Sequence, residues 1–142
     1  MEIKTAITDQ DINKCREVLM VLRPHLQQES FMQAVKDTLA DNRKLLFIEE
    51  NGVAVAAAMY EWGFNLYRGR YFYIDDLTTL PGARRKGYAS LLLDRIFEDA
   101  KAQGIEQVHL DSGANPGRYD AHRLYLNKGF NITSFHFARR IS

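Results

Sequence analysis

The chain has 142 residues, 46% hydrophobic and 26% charged, which suits one globular domain over 1–142 and excludes a disordered chain. A formal net charge of +1 excludes the broad cationic face of a nucleic-acid binder. One cysteine, Cys15, excludes an intrachain disulfide; no apolar run reaches the ~18 residues of a membrane span, and residues 1–5 lack a signal-peptide core, so a cytoplasmic protein with no membrane partner is expected.

Residues 2–7 read as a short first strand. Asp9 or Asp11 is placed to cap a helix through Val18, Leu19 and Leu22 that stops near Pro24. Phe31, Met32, Val35 and Leu39 recur at helical spacing within residues 28–40. Residues 45–49 and 53–60 are extended runs joined by Asn51-Gly52, a strong hairpin signal because a type I′ turn needs positive φ at both central positions. Residues 71–80 read as a third long strand closed by Pro81-Gly82. In 87–103, Leu92, Leu93, Ile96, Phe97 and Ala100 share one helix face, and Gly104 is the stop. A strand over 105–110, a short helix over 119–128 ending at Gly129, and one or two strands over 130–139 complete the order. The strand–helix–strand around 71–110 implies a right-handed crossover and locally parallel strands, whereas the hairpin implies antiparallel pairing. The expected class is α/β, with a mixed, mostly antiparallel central sheet flanked by helices.

The most informative segment is Arg84-Arg85-Lys86-Gly87-Tyr88-Ala89, where the third strand hands over to the helix. The first N–H groups of a helix lack intrahelical partners and the dipole is positive there, so three cations and a glycine at this point make an anion site. Gly87 lets the backbone approach a bulky anion. A nucleoside-triphosphate loop needs Gly, four residues, then Gly-Lys-Ser/Thr; Gly82 and Gly87 have the spacing, but Tyr88 and Ala89 follow. A dinucleotide fold needs a glycine triplet that is absent.

Arg84-x-x-Gly87-x-Ala89, preceded by Leu77-Thr78-Thr79-Leu80-Pro81, resembles the acetyl-coenzyme A loop of the GNAT (Gcn5-related) N-acetyltransferase family, with Thr79 where Val is usual. Tyr125-Leu126-Asn127-Lys128-Gly129-Phe130 resembles that family's second signature, Tyr-x-x-x-Gly-Phe after a short helix, with Ala121 and Leu124 in the expected places. One departure is Arg118, which stands where an Asn is common; Asn115 lies three residues earlier. The resemblance implies the acyl-CoA N-acyltransferase fold and acetyl-CoA as co-substrate. It further implies transfer of the acetyl group to a primary amine of a small molecule or peptide in a ternary complex. The alternative from another class is a GNAT-fold module that binds acyl-CoA without catalysis.

Acetyl transfer to an amine needs a base for the amine, a polarised carbonyl, an acid for the thiolate, and alignment. By resemblance Tyr125 is the general acid. Asp75 stands where the family often carries a Glu base, and its shorter side chain favours a water relay; the adjacent Asp76 leaves the assignment between the two open. Strand alternation puts Tyr73, Asp75 and Leu77 on one face and Asp76 on the other. By the same resemblance, backbone of Leu77, Thr78 and Thr79 is expected along the pantetheine arm, with Arg84, Arg85, Lys86, Gly87, Tyr88, Ala89 and Ser90 around the phosphates and either Asn115 or Arg118 as a further coenzyme contact. His25, His109, His122 and His136 show no metal-ligand spacing, and no metal is expected. Trp62, Phe64, Tyr67 and Tyr71 either line the acceptor pocket or cover a core edge, and Glu29, Glu61 and Asp75 suit a cationic amine. Homodimerisation is common in the family, and an exposed final strand would suit it.

Overall fold

The computed structural model describes residues 2–142, and its contacts divide into two compact units, one ending at Leu110 and one spanning Asp111–Ser142. In the first unit the order is β1 (Lys4–Thr5), α1 (Asp9–Lys14), α2 (Arg16–Leu22), α3 (Phe31–Leu39), β2 (Arg43–Glu50), β3 (Val53–Asn65), β4 (Gly69–Thr79), α4 (Tyr88–Ala102) and β5 (Val108–Leu110). The sheet runs β1-β2-β3-β4-β5; only the β4–β5 pair is parallel. Asn51 and Gly52 hold φ of 54° and 82°, the paired left-handed residues that let a two-residue loop close β2 onto β3.

The first helix differs in two ways from the sequence expectation. Its N-cap is Thr8, whose hydroxyl accepts from Asp11 N–H at 3.1 Å while Asp11 accepts from Thr8 N–H at 3.2 Å. Asp11 is therefore the third-residue partner of a capping box rather than the cap. The helix also breaks at Cys15, which is fully buried between α1 and α2.

Helices cover both sheet faces, so the middle of β3 reads as a near-continuous run of small buried residues: Ala54, Ala56, Ala57 and Ala58 are all inaccessible. On one face Ile12, Val18, Phe31 and Val35 pack with Leu45, Phe47, Ala57 and Met59. The other face is that of Tyr60, whose hydroxyl donates to Asp99 of α4 at 2.8 Å; Leu46 and Ile48 share it by register, and Leu92, Leu93 and Ile96 are the fully buried side of α4. Gly104, at φ 70°, ends α4 as expected. Beyond the core the β3–β4 hairpin carries Phe64, Leu66 and Tyr67 into solvent, so these residues do not cover a core edge.

The second unit contains a 3₁₀ turn at Pro116–Arg118 and α5 (Tyr119–Asn127), closed by Gly129 at φ 92°. Residues 130–142 form no strand, contrary to expectation, and Phe135 and Phe137 are 86% and 91% exposed. Alternating aromatics give a segment strand propensity, but a strand exists only when its N–H and C=O groups join a ladder. Among the described residues no helix is long and apolar enough to cross a membrane.

Candidate active site

β4 is joined to β5 only where Phe72, Tyr73 and Ile74 pair with Val108, His109 and Leu110. On its other side Ile74 pairs with Tyr60 and Asp76 with Met59, which leaves Asp75 as the extra residue of a β-bulge. Past the bulge, Asp76 to Thr79 continue along β3, but no strand among the described residues pairs with their outer edge. Leu77, Thr78 and Thr79 lie on this open edge. Thr78 is 7% exposed and its hydroxyl donates to Val18 O at 3.1 Å, so its side chain is spent on α2 and its backbone is what the edge can offer. An open strand edge is a template for an extended ligand that carries amide groups.

The bulge also corrects the expected alternation. Tyr73 is opposite Glu61 and Asp76 is opposite Met59, two positions apart on β3 and hence on the same face; Leu77 is opposite Ala58, on the other. Both aspartates are held by arginines. Arg43 Nε donates to Asp75 Oδ2 at 2.6 Å, and the same guanidinium lies 2.8 Å from Glu61 and 3.3 Å from Asp41. Its bond to Asp75 raises its pKa further, so it stays cationic. Arg23 reaches Asp76 Oδ1 at 2.7 Å and donates to the main-chain carbonyl of Asp75 at 2.9 Å. Neither arginine was found from sequence: no local spacing links Arg43 to Asp75 or Arg23 to Asp76, and only the sheet brings them together.

The loop after β4 enters α4 through a 3₁₀ turn, Pro81–Ala83, with Ala83 buried and Arg84, Arg85 and Lys86 exposed. Arg85 and Gly87 hold φ of 66° and 81°. A left-handed conformation costs a non-glycine residue about 1–2 kcal/mol, which Arg85 bears within this loop. Gly87 is the N-cap of α4 without a side-chain cap, and the first turn contains no acidic residue. The leading N–H groups of a 15-residue helix thus have no side-chain cap, in a field that favours an anion. A Cβ built on Gly87 meets no atom within 4 Å, so the space above it is open. These features fit a phosphodiester. Behind the loop, Tyr88 Oη donates to Glu50 Oε1 at 2.8 Å and Lys86 Nζ lies 3.4 Å from the same oxygen. Glu50 therefore fixes both neighbours of Gly87, and its hydrogen bond pushes the Tyr88 pKa up.

In the second unit Tyr125 is 8% exposed on α5 and packs edge-on against Phe130, with ring centroids 6.0 Å apart. Burial raises its pKa, while the charge and hydrogen bonding of Arg118 pull it the other way. The phenol keeps its proton at neutral pH. Arg118 thus acts on the tyrosine itself. Asn115 faces its own loop: a Cβ on Gly113 or Gly117 would meet its carboxamide at 2.9 or 3.2 Å. His122 turns to the carbonyl of Gly113 at 2.7 Å. Among the described residues no group of three or more His, Cys, Asp or Glu side chains is placed to hold a metal.

The model of the acetyltransferase (GNAT) family matches residues 12–130. An uncharacterized N-acetyltransferase of Bacillus subtilis is 31% identical over 126 residues, 87% of each chain. The aminoalkylphosphonate N-acetyltransferase of Salmonella typhimurium is 27% identical over 142 residues, covering 99% of this chain and 91% of that protein. Among solved structures, a ribosomal-protein-alanine N-acetyltransferase of Brucella melitensis shares the fold with a TM-score of 0.82, at 17% identity over 99% of this chain and 100% of that one.

Proposed function

Because this chain belongs to the GNAT acetyltransferase family, we propose that it moves an acetyl group from acetyl-CoA to a primary amine of a small molecule or peptide, by direct attack in a ternary complex. The observation that carries this reading is the uncapped start of α4 behind residues 84–89, in the same unit as an unpaired β4 edge. The first suits a pyrophosphate and the second suits the amide-bearing arm attached to it.

Acetyl-CoA supplies the thioester carbonyl that the amine attacks. The backbone N–H groups from Arg84 to Ser90 bind the pyrophosphate, with Arg84 as the balancing cation. Main-chain groups of Leu77, Thr78 and Thr79 hold the arm and polarise the carbonyl. Asp75, acting through a water, takes the proton that the amine nitrogen must lose to attack. As the new C–N bond forms and the C–S bond breaks, Tyr125 gives its proton to the leaving sulfur. Burial keeps the phenol protonated at neutral pH, the state from which it donates. Residues 1–142 act as one domain in this reading, and the family match across residue 110 supports it.

The acceptor in this reading is a primary amine of a small molecule or peptide. Aminoalkylphosphonates belong in the first panel, because a relative aligned along nearly the whole chain carries that name. Thiol release from acetyl-CoA, measured across a panel of phosphonate-bearing, zwitterionic and polycationic amines, tests the reading. Turnover with at least one acceptor, reduced by Tyr125→Phe, is expected. Tight acetyl-CoA binding with no turnover on the whole panel contradicts it and leaves a binding module.

A further inference from the structure

We propose that Arg23 is a positioning residue for acetyl transfer, acting from the end of α2 on the bulge of β4; the inference rests on the reading of the β4 edge as the acetyl-CoA site. Arg23 is the C-cap residue of α2, and its guanidinium crosses to β4. There it makes two different contacts at adjacent residues: the carboxylate of Asp76 at 2.7 Å and the main-chain carbonyl of Asp75 at 2.9 Å. The second contact is the informative one. Asp75 is the residue that the ladder with β3 skips, so its peptide group stands where pairing is interrupted. Arg23 supplies a charged donor to that carbonyl from a side chain 52 residues away.

The location gives the contact its consequence. The β4–β5 ladder ends at Ile74, immediately before the bulge, and the open edge begins immediately after it. The bulge therefore sets the course of residues 76–79, which stay paired with β3 where the β5 ladder has ended, and Leu77, Thr78 and Thr79 among them hold the thioester in the proposed reaction. An ordinary exposed ion pair is worth about 0–1 kcal/mol and would be silent in kinetics. This one differs because a planar guanidinium binds a carboxylate and a peptide carbonyl together, which a single ammonium does less well. The side chain of Asp76 is 15% exposed, so losing Arg23 leaves a largely buried carboxylate unpaired next to the same bulge. The pyrophosphate loop at 84–89 lies beyond the far end of β4 and is held by Glu50, not by Arg23.

The expected signature is a split between rate and affinity. A displacement of about 1 Å at a reacting centre costs up to about 100-fold in rate. Arg23→Ala should lower kcat by about 10- to 100-fold while the KM for acetyl-CoA stays within about twofold. Arg23→Lys should recover part of the loss, and free guanidinium ion at low millimolar concentration should restore Arg23→Ala where sodium chloride at equal ionic strength does not. In a cycle with Asp76→Asn, the double variant should be no slower than Arg23→Ala alone. A kcat within twofold of wild type overturns the proposal. So does a parallel collapse of kcat, acetyl-CoA affinity and Tm that neither lysine nor guanidinium relieves, since that is the pattern of general destabilisation. Arg23→Gln gives the same comparison if the alanine variant fails to fold. Wild-type turnover is measured first: its absence defeats the proposed function itself, whereas an active wild type with an equally active Arg23→Ala defeats only the role of Arg23.

Discussion

Gly87→Ala separates the backbone demand of the loop from its use as an anion site, because the chain contains a matched control. Gly87 and Gly52 hold φ of 81° and 82°, and a Cβ at either meets nothing within 4 Å. Alanine should therefore cost the same at both, about 1–2 kcal/mol for the left-handed conformation. At this chain length that is a fall of roughly 3–10 °C in Tm. The two share φ and open space but not what lies outside: Gly52 sits in the β2–β3 turn, while the Cβ of Gly87→Ala projects where a phosphate would rest on the start of α4. Circular dichroism melts should give equal losses, and thiol-release kinetics should give a KM for acetyl-CoA raised at least about tenfold for Gly87→Ala alone, an apparent loss of about 1.4 kcal/mol. Equal melts with wild-type KM in both variants would refute the argument that ligand phosphate approaches this backbone.

Glu50→Gln keeps an acceptor for Tyr88 but removes the charge that engages Lys86, so the KM for acetyl-CoA should fall about two- to threefold at low salt; an unchanged or higher KM in steady-state kinetics counts against it. Tyr125 must hold its proton to act as an acid, and burial raises its pKa, so kcat against pH should fall only above the ordinary tyrosine range. Arg118 pulls that pKa down, so Arg118→Ala should move the alkaline limb higher still; a downward shift contradicts the assignment. Burial, joined by Asp11 and Glu49, pushes the Cys15 thiol from 9.0 up to about 12. The folded protein should thus resist thiol reagents at pH 8 and react only on unfolding. Since this pKa is raised on folding, the associated stability is intact below pH 9 and is lost as pH rises toward 12, by about 4 kcal/mol in all. Denaturant midpoints that do not fall between those values would show the thiol to be less buried.

The elements legible in the sequence were those whose causes lie within a few residues. Asn51-Gly52 closes a hairpin because two adjacent residues accept positive φ. The exposed basic loop at 84–86 and the helix start behind Gly87 follow from cations, a glycine and an amphipathic run in direct succession, and the end of α5 from Gly129. Even so, the two aspartates were assigned to opposite faces, because strict alternation has no way to anticipate a residue that the ladder skips.

The tertiary structure alone decided what surrounds those local features. The bulge at Asp75 exists because β3 and β4 pair on both sides of it and not through it. Arg43 and Arg23 meet their partners across 32 and 53 residues, and Glu50 meets Tyr88 across 38. Phe135 and Phe137 alternate as a strand would, yet stay outside any ladder. The physical reason is common to them all. A helix start or a tight turn is set by the dihedrals of consecutive residues, whereas strand register and long-range ion pairs are set by which edges come together in the sheet.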